Sequence, residues 1–566
     1  MITQILTAAK DLGFLYDLVI IGAGPAGLYG HRTVGLAAKL QKLNNIINQN
    51  PKEVSMKGKS LWLGLLMAVL MVGGSIPGWA QDRAIKVRLT GSLPSLDWGT
   101  TSNVRDQKVW HQMYEGLYGL DEGTKTHYPE LADKVDLSKD KLVYTCHLRP
   151  GVKFQNGEPL KASDVVFSYE RAMKNPSFGY ITSHITNVAA VNDSTVKFTL
   201  DQPYYPIWFT FFSVKIMSEK EVRSQGDKFG TILNKAGTGP YFASSYTVAS
   251  GLKLEAFKGY WRGVPAIRSV EYIVIPDDSS ALIAFQNHEL DYLEDVPATA
   301  WKEVSAYAAP NAKMVKGNNV MFMAVNYLST AHKVLASLKV REAMFYAVNK
   351  KDINNAVCEG YGSETDQYFP TEYVTATPVS GFKTYPFNPG LSKKLLAEAG
   401  YPNGVDVGTI LIYGTATSFN ARMGEVLQAN FAEVGIKAQL YVAEMAIITP
   451  RIYKLDYDIC VWNGIGNFDF DTIGTRVSSK SQGLYVIKYK DGPFNWQRIE
   501  KLLDLGASTS DVTKRTAYYT ELWSIVMDSA TMLPCIHRPV GIVWSKSLDI
   551  GQPVPTFYKI RTFTWN

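Results

Sequence analysis

The chain predicts an α/β protein with more than one domain. Two stretches carry that reading, and the length permits it. Tyr144 to Glu170 reads as strand, turn, strand, helix, and Thr409 to Val442 as strand, helix, strand, the unit from which parallel sheets are built. With 566 residues, 46% hydrophobic and 19% charged, there is enough apolar material for two or more cores.

Taken in order, Ile85 to Leu89 is a short alternating strand. It leads through a loop, Gly91 to Asn103, into an apolar-periodic helix around Val109, Met113 and Leu117. Tyr144, Cys146 and Leu148 alternate as a half-buried strand does, Pro150-Gly151 turns the chain, and Val152 to Phe154 is a second extended run. Asn156-Gly157 supplies the positive φ of a tight turn. Ser163 stands at the N-cap of the helix that follows, Asp164 adds negative charge to its first turn, and Val165, Val166, Tyr169 and Met173 recur at helical spacing.

Gly237-Thr238-Gly239-Pro240-Tyr241 is a glycine-rich turn. Without a following Lys-Ser or Lys-Thr it is no phosphate cradle. In the second half, Val340, Met344 and Val348 share one face of an amphipathic helix. Asn388 caps a helix that starts at Pro389, turns Leu391, Leu395 and Leu396 inward, and stops at Gly400. Thr409 to Tyr413 is a buried strand, Ala421 to Val434 a helix closed by Gly435, and Ile436 to Val442 the returning strand.

The first 80 residues differ in kind. From Met56 the chain has a basic MKGKS opening, a short apolar stretch from Leu61 to Gly74, and a small-residue region ending Gly78-Trp79-Ala80, the pattern of a secretory signal peptide cleaved after Ala80. Fourteen apolar or glycine residues are too few to span a bilayer, and no cysteine at the cleavage site indicates a lipid anchor. Upstream, Asp17-Leu-Val-Ile-Ile-Gly22-Ala-Gly24-Pro-Ala-Gly27 resembles the opening of flavin- or NAD-binding reductases. The rest of that unit is missing, because Gln41 to Asn50 is polar and acid-free where a second strand should end in Glu or Asp. We therefore expect no cofactor at Gly22, Gly24 and Gly27. Residues 1–55 read as a non-native leader; Lys52-Glu53-Val54 is what a ribosome-binding sequence ahead of the Met56 codon would encode.

Charge excludes one class of partner. Residues 1–80 hold seven Lys and Arg against three Asp and Glu, and the remainder 51 against 49, so the body is nearly neutral and no nucleic acid is expected. Cys146, Cys358, Cys460 and Cys535 form no CxxC or Cys/His cluster; up to two disulfides or buried free thiols remain open. No metal site, GxSxG or HExxH stands out, and the chain is read as a non-enzyme.

The residues Leu148-Arg149-x-Gly151-Val152-Lys153-Phe154, Asn156-Gly157 and Asp164-Val165-Val166-Phe167-Ser168 resemble the signature of the solute-binding proteins of peptide-type ABC importers, a family of dipeptide-, oligopeptide- and nickel-binding proteins. Met113 to Leu117, Pro129 to Asp133, Tyr260 to Gly263, Glu289-Leu290-Asp291 and Lys393 to Pro402 extend the likeness through the chain after the signal peptide. The resemblance implies a bilobed periplasmic-binding-protein fold of the large peptide-binding class, with an extra subdomain in the first lobe. It places that lobe at 81–115, 237–316 and 531–566, the subdomain at 116–236, and the second lobe at 317–530. It further implies a monomeric, extracytoplasmic receptor that closes on a ligand and delivers it to importer permease subunits in the membrane.

By the same resemblance the ligand is lined by Thr101, Ser102 and Asn103 from one lobe and Trp462, Asn463 and Gly464 from the other. Peptide-binding relatives carry an Asp three residues after this Trp for the ligand's ammonium; here that position is Ile465. Asp469, with Asn467 beside it, is the candidate replacement unless it belongs to the following turn, and Arg451 is a candidate carboxylate partner. A small peptide is the expected solute. An opine, a modified sugar or a metal chelate stays open as the alternative, as does, from another class, a flavin- or NAD-dependent reductase.

Overall fold

Among the described residues, two long strands run antiparallel in the middle of the main sheet, with further strands on either side of them. The computed structural model describes residues 83–100, 103–175, 178–369, 378–416, 418–465, 469–479 and 494–566. The chain divides into units 1–79 and 80–566, and only the second is described. The signal pattern and the Gly22, Gly24 and Gly27 motif lie outside the described residues.

The strands are β1 Ile85–Leu89, β2 Tyr118–Asp121, β3 Thr126–Pro129, β4 Ala132–Leu137, β5 Val143–Leu148, β6 Ile185–Asn192, β7 Thr195–Leu200, β8 Tyr241–Thr247 and β9 Gly251–Ala256. They continue with β10 Ser269–Val274, β11 Tyr292–Leu293, β12 Ala312–Val325, β13 Ser363–Glu364, β14 Val405–Tyr413, β15 Ile436–Ala443, β16 Ile459–Ile465 and β17 Met532–Trp544. The main sheet has the order β15-β14-β16-β12-β17-β11-β1-β10-β9-β8, with β13 on β17. The central pair is β12 and β17, antiparallel, with Asn319 opposite Arg538.

On one side β14 lies parallel to both β15 and β16; on the other β1 lies parallel to both β10 and β11. Each group forms a lobe with its own hydrophobic core. One core gathers Val87, Trp110, Tyr169, Phe198 and Tyr272, the other Phe322, Phe345, Ile410, Trp462 and Trp523. Leu120 and Phe212, from the first-lobe side, pack into the second core. A four-stranded antiparallel sheet, β4-β5-β7-β6, is appended to the first lobe.

Local chemistry explains most elements. Tyr144, Cys146 and Leu148 are buried and their neighbours half-buried, the alternation of a one-sided strand. Helix α1, Val104–Met113, is capped by Asn103, whose side chain accepts the Arg105 backbone N–H at 2.9 Å. It stops at Met113, short of Leu117. Glycine is required just beyond, where a Cβ on Gly237 would stand 2.1 Å from the Met113 carbonyl oxygen and one on Gly239 2.5 Å from it. The GTGPY turn is thus packed against a helix end.

Two local expectations change. Helix α2, Ala162–Lys174, has Lys161 as its N-cap rather than Ser163, and the Asp164 carboxylate reaches back to the Lys161 N–H at 3.0 Å. Val152 to Phe154 forms no strand, only one bridge between Lys153 and Pro159, because the Asn156-Gly157 turn closes too soon for a ladder. All four cysteines are free and buried.

In the second lobe, helix α3, Phe419–Glu433, joins β14 to β15 and is capped by Ser418. Helix α4, Met445–Tyr453, carries the chain back across β14 to β16. Helix α5, Val512–Asp528, precedes β17.

Candidate binding site between the strand ends

In open α/β sheets, ligands collect beyond the carboxyl ends of parallel strands at the point where connections leave in opposite directions. Both lobes have such a point: β14 between β15 and β16, and β1 between β11 and β10. A cavity of about 620 Å³ lies against both. Leu89 and Thr90 line it at the end of β1, Glu294 to Thr299 after β11, and Thr415, Ser418, Phe419 and Arg422 after β14, with Asn319 and Arg538 from the central pair. The volume suits a small solute.

The first-lobe wall is rich in buried charge. Lys108 on α1 donates to Glu294 Oε1 at 2.5 Å and lies 3.9 Å from Asp295. Burial raises the Glu294 carboxyl to about 7, and the Lys108 charge opposes that rise. Nearby, Glu122 accepts the backbone N–H groups of Thr556 and Phe557 at 3.0 and 2.9 Å. Arg88 is paired with Asp278 at 2.7 Å, and Arg105 with Asp106 at 2.8 Å.

The opposite wall is cationic. The Arg538 guanidinium lies 3.7 Å above the Phe419 ring, an arrangement that orients the charge without neutralising it. Arg422 is one helical turn inside α3, on the same cavity. Neither arginine is paired with a carboxylate among the described residues. Asn319, in register between Arg538 and Ile465, holds a buried side-chain oxygen with no hydrogen-bond partner. The wall continues to β16 through Tyr413, whose hydroxyl donates to Asn463 and whose ring lies 4.5 Å from that of Trp462.

The residues singled out in the sequence fall in different places. Thr101, Ser102 and Asn467 lie outside the described residues, and Asn103 caps α1. Trp462, Asn463 and Gly464 sit together on β16, Trp462 buried at 3% exposure, and a Cβ on Gly464 would stand 2.3 Å from the Tyr368 hydroxyl. Asp469 belongs to the following turn: it accepts the Asp471 N–H at 2.9 Å and is ion-paired with Arg515. Arg451 pairs with Asp456 at 2.9 Å and covers the Tyr441 ring. None of these described residues lines the cavity.

Sequence reasoning passed over Lys108, Glu294, Arg422 and Arg538. A signal existed for two of them. Glu294-Asp295 is an acidic pair directly after an apolar strand, and Arg422 opens the helix that follows a buried strand. Arg538 gave none, because its place depends on which strands are central.

A sequence profile described as bacterial extracellular solute-binding proteins, family 5, middle region, matches residues 126–483. The chain belongs to that family. It is 28% identical over 518 residues to the dipeptide-binding protein of Escherichia coli (strain K12), covering 86% of this chain and 94% of the relative. Among solved structures, NikA from Brucella suis in complex with Fe(III)-EDTA matches with a TM-score of 0.75 at 21% identity, over 86% of this chain and all of that one. AgaA in complex with agropinic acid, from A. tumefaciens R10, matches at 0.70 and 24% identity, over 85% and 96%. The fold they share is the bilobed binding-protein fold.

Proposed function

We propose that the protein is an extracytoplasmic receptor that holds a small peptide or peptide-like carboxylic acid in the cleft and hands it to the permease of an ABC importer. The observation that carries the ligand class is the cationic wall: Arg422 and Arg538 face a cavity lined from both lobes and pair with no carboxylate among the described residues. Guanidinium groups favour a planar carboxylate, which they can bind through two parallel hydrogen bonds. A dipeptide, agropinic acid and the EDTA chelate, bound by the proteins to which this chain is similar, all carry one.

The dipeptide reading is preferred over the opine and the chelate, because the cavity is lined by charge of both signs. The signal pattern from Met56 exports the chain without a lipid anchor. Binding, not turnover, is its task.

A thermal-shift panel on protein beginning at Gln81 tests this, with dipeptides, agropinic acid, Fe(III)-EDTA and neutral sugars as probes. A solute at a hundredfold its Kd stabilises the fold by about 2.7 kcal/mol. Stabilisation by dipeptides alone is the expected result. Stabilisation only by sugars without a carboxylate would reject the assignment.

A further inference from the structure

Glu294 has an acceptor to spare. Its Oε1 is taken by Lys108, but its Oε2 is buried without a hydrogen-bond partner, as is the hydroxyl of Thr556. Both residues line the cavity and both are more than nine-tenths buried, at 9% and 3% exposure. Groups so placed cost stability unless something hydrogen-bonds to them.

The local charge shows what that partner should be. One ammonium, that of Lys108, stands between the carboxylates of Glu294 and Asp295, and Glu122 lies close enough to act on it too. Arg88 and Arg105 on the same wall are taken up by Asp278 and Asp106, so around Lys108 three carboxylates face one ammonium, while the wall with Arg422 and Arg538 holds the reverse. A second carboxylate on the ligand would be repelled at Glu294. A hydroxyl would satisfy the acceptors but leave the excess charge unmatched, whereas an ammonium does both.

We propose that Glu294 and Thr556 receive a primary ammonium group of the solute, so that the cleft selects a zwitterion with its amine against the first lobe and its carboxylate against Arg422 and Arg538. The inference rests on the cleft being the solute site. Glu294 then supplies negative charge from the first lobe, where β16 offers only the apolar Ile465 three residues after Trp462. Raised to about 7 by burial, the Glu294 carboxyl is held ionised by a second cation beside it.

The test is calorimetric titration with three probes: the dipeptide Ala-Phe, its N-acetyl form and its C-terminal amide. Wild-type protein is expected to bind Ala-Phe roughly 30-fold or more tightly than the N-acetyl form. In Glu294→Gln that gap should shrink to about threefold, while the preference for the free acid over the amide, which belongs to the arginines, persists. Thr556→Val should narrow the gap by a few-fold and serves as the test if Glu294→Gln does not fold.

Equal binding of the free and acetylated peptides to wild type overturns the amine site and leaves the carboxylate reading intact. So does an unchanged gap in both variants. Failure of wild type to bind any of the three overturns the peptide reading, and this inference with it.

Discussion

Asp469 and Arg515 form a 2.5 Å ion pair with both side chains buried, 9% and 3% exposed, in the turn that follows β16. Arg515 also donates to the Gly506 carbonyl at 2.6 Å and lies over the Tyr205 ring. Removing one member of such a pair strands a buried charge, which costs about 3–5 kcal/mol. Arg515→Ala should therefore lower the denaturation midpoint markedly. Asp469→Asn should also destabilise the protein, yet leave the Kd for a bound dipeptide within about twofold, because this carboxylate faces Arg515 and not the cavity. A large rise in Kd without loss of stability would return Asp469 to the site.

Asp471, two residues on, is buried beside that pair. Its carboxyl is pushed up to about 7 by burial first and by the charge of Asp469 second, against the pull of Arg515. It accepts from Tyr204, on the first-lobe side, at 3.3 Å and from Tyr519 at 3.4 Å. The folded state thus keeps a proton that the unfolded chain releases near 3.8. From about pH 4 to 7 the folded form binds more protons, so this group costs stability progressively as pH rises, in full above about 7. Comparing thermal midpoints of Asp471→Asn and wild type should show the variant gaining on the wild type between pH 4 and 8. A constant difference across that range would refute the assignment.

The four thiols should be inert in the folded protein. Burial pushes Cys358 up to about 11 and Cys460 and Cys535 up to about 12, and it raises Cys146 as well. At pH 8 almost no thiolate exists, even at Cys358, which lines the cavity. A thiol reagent should titrate four groups in denaturant and none in buffer, and reductant should not shift the midpoint. A midpoint that falls with reductant would mean that disulfides form.

Periodicity and turn chemistry made much of the fold legible. The β14, α3, β15 unit could be read from Thr409 to Val442 because strand, helix and glycine stop are contiguous in sequence. The Lys161 cap was hidden because Ser163 and Asp164 compete for the same first turn, and the tertiary position of Asp164 decided it. The cavity was not legible. Its cationic wall depends on Asn319 facing Arg538, residues 219 positions apart that meet only because β12 pairs with β17. Its acidic wall depends on Lys108 reaching Glu294 across 186 positions. A linear motif marks neither.

The most direct measurement is native mass spectrometry of protein beginning at Gln81, as purified and after unfolding and refolding, in wild type and in the double variant Arg422→Ala, Arg538→Ala. The account predicts a retained adduct on the wild type that fragments to give both an amine and a carboxylic acid, removed by refolding and missing from the double variant. An adduct without a carboxylate, or one that the double variant keeps, would contradict it.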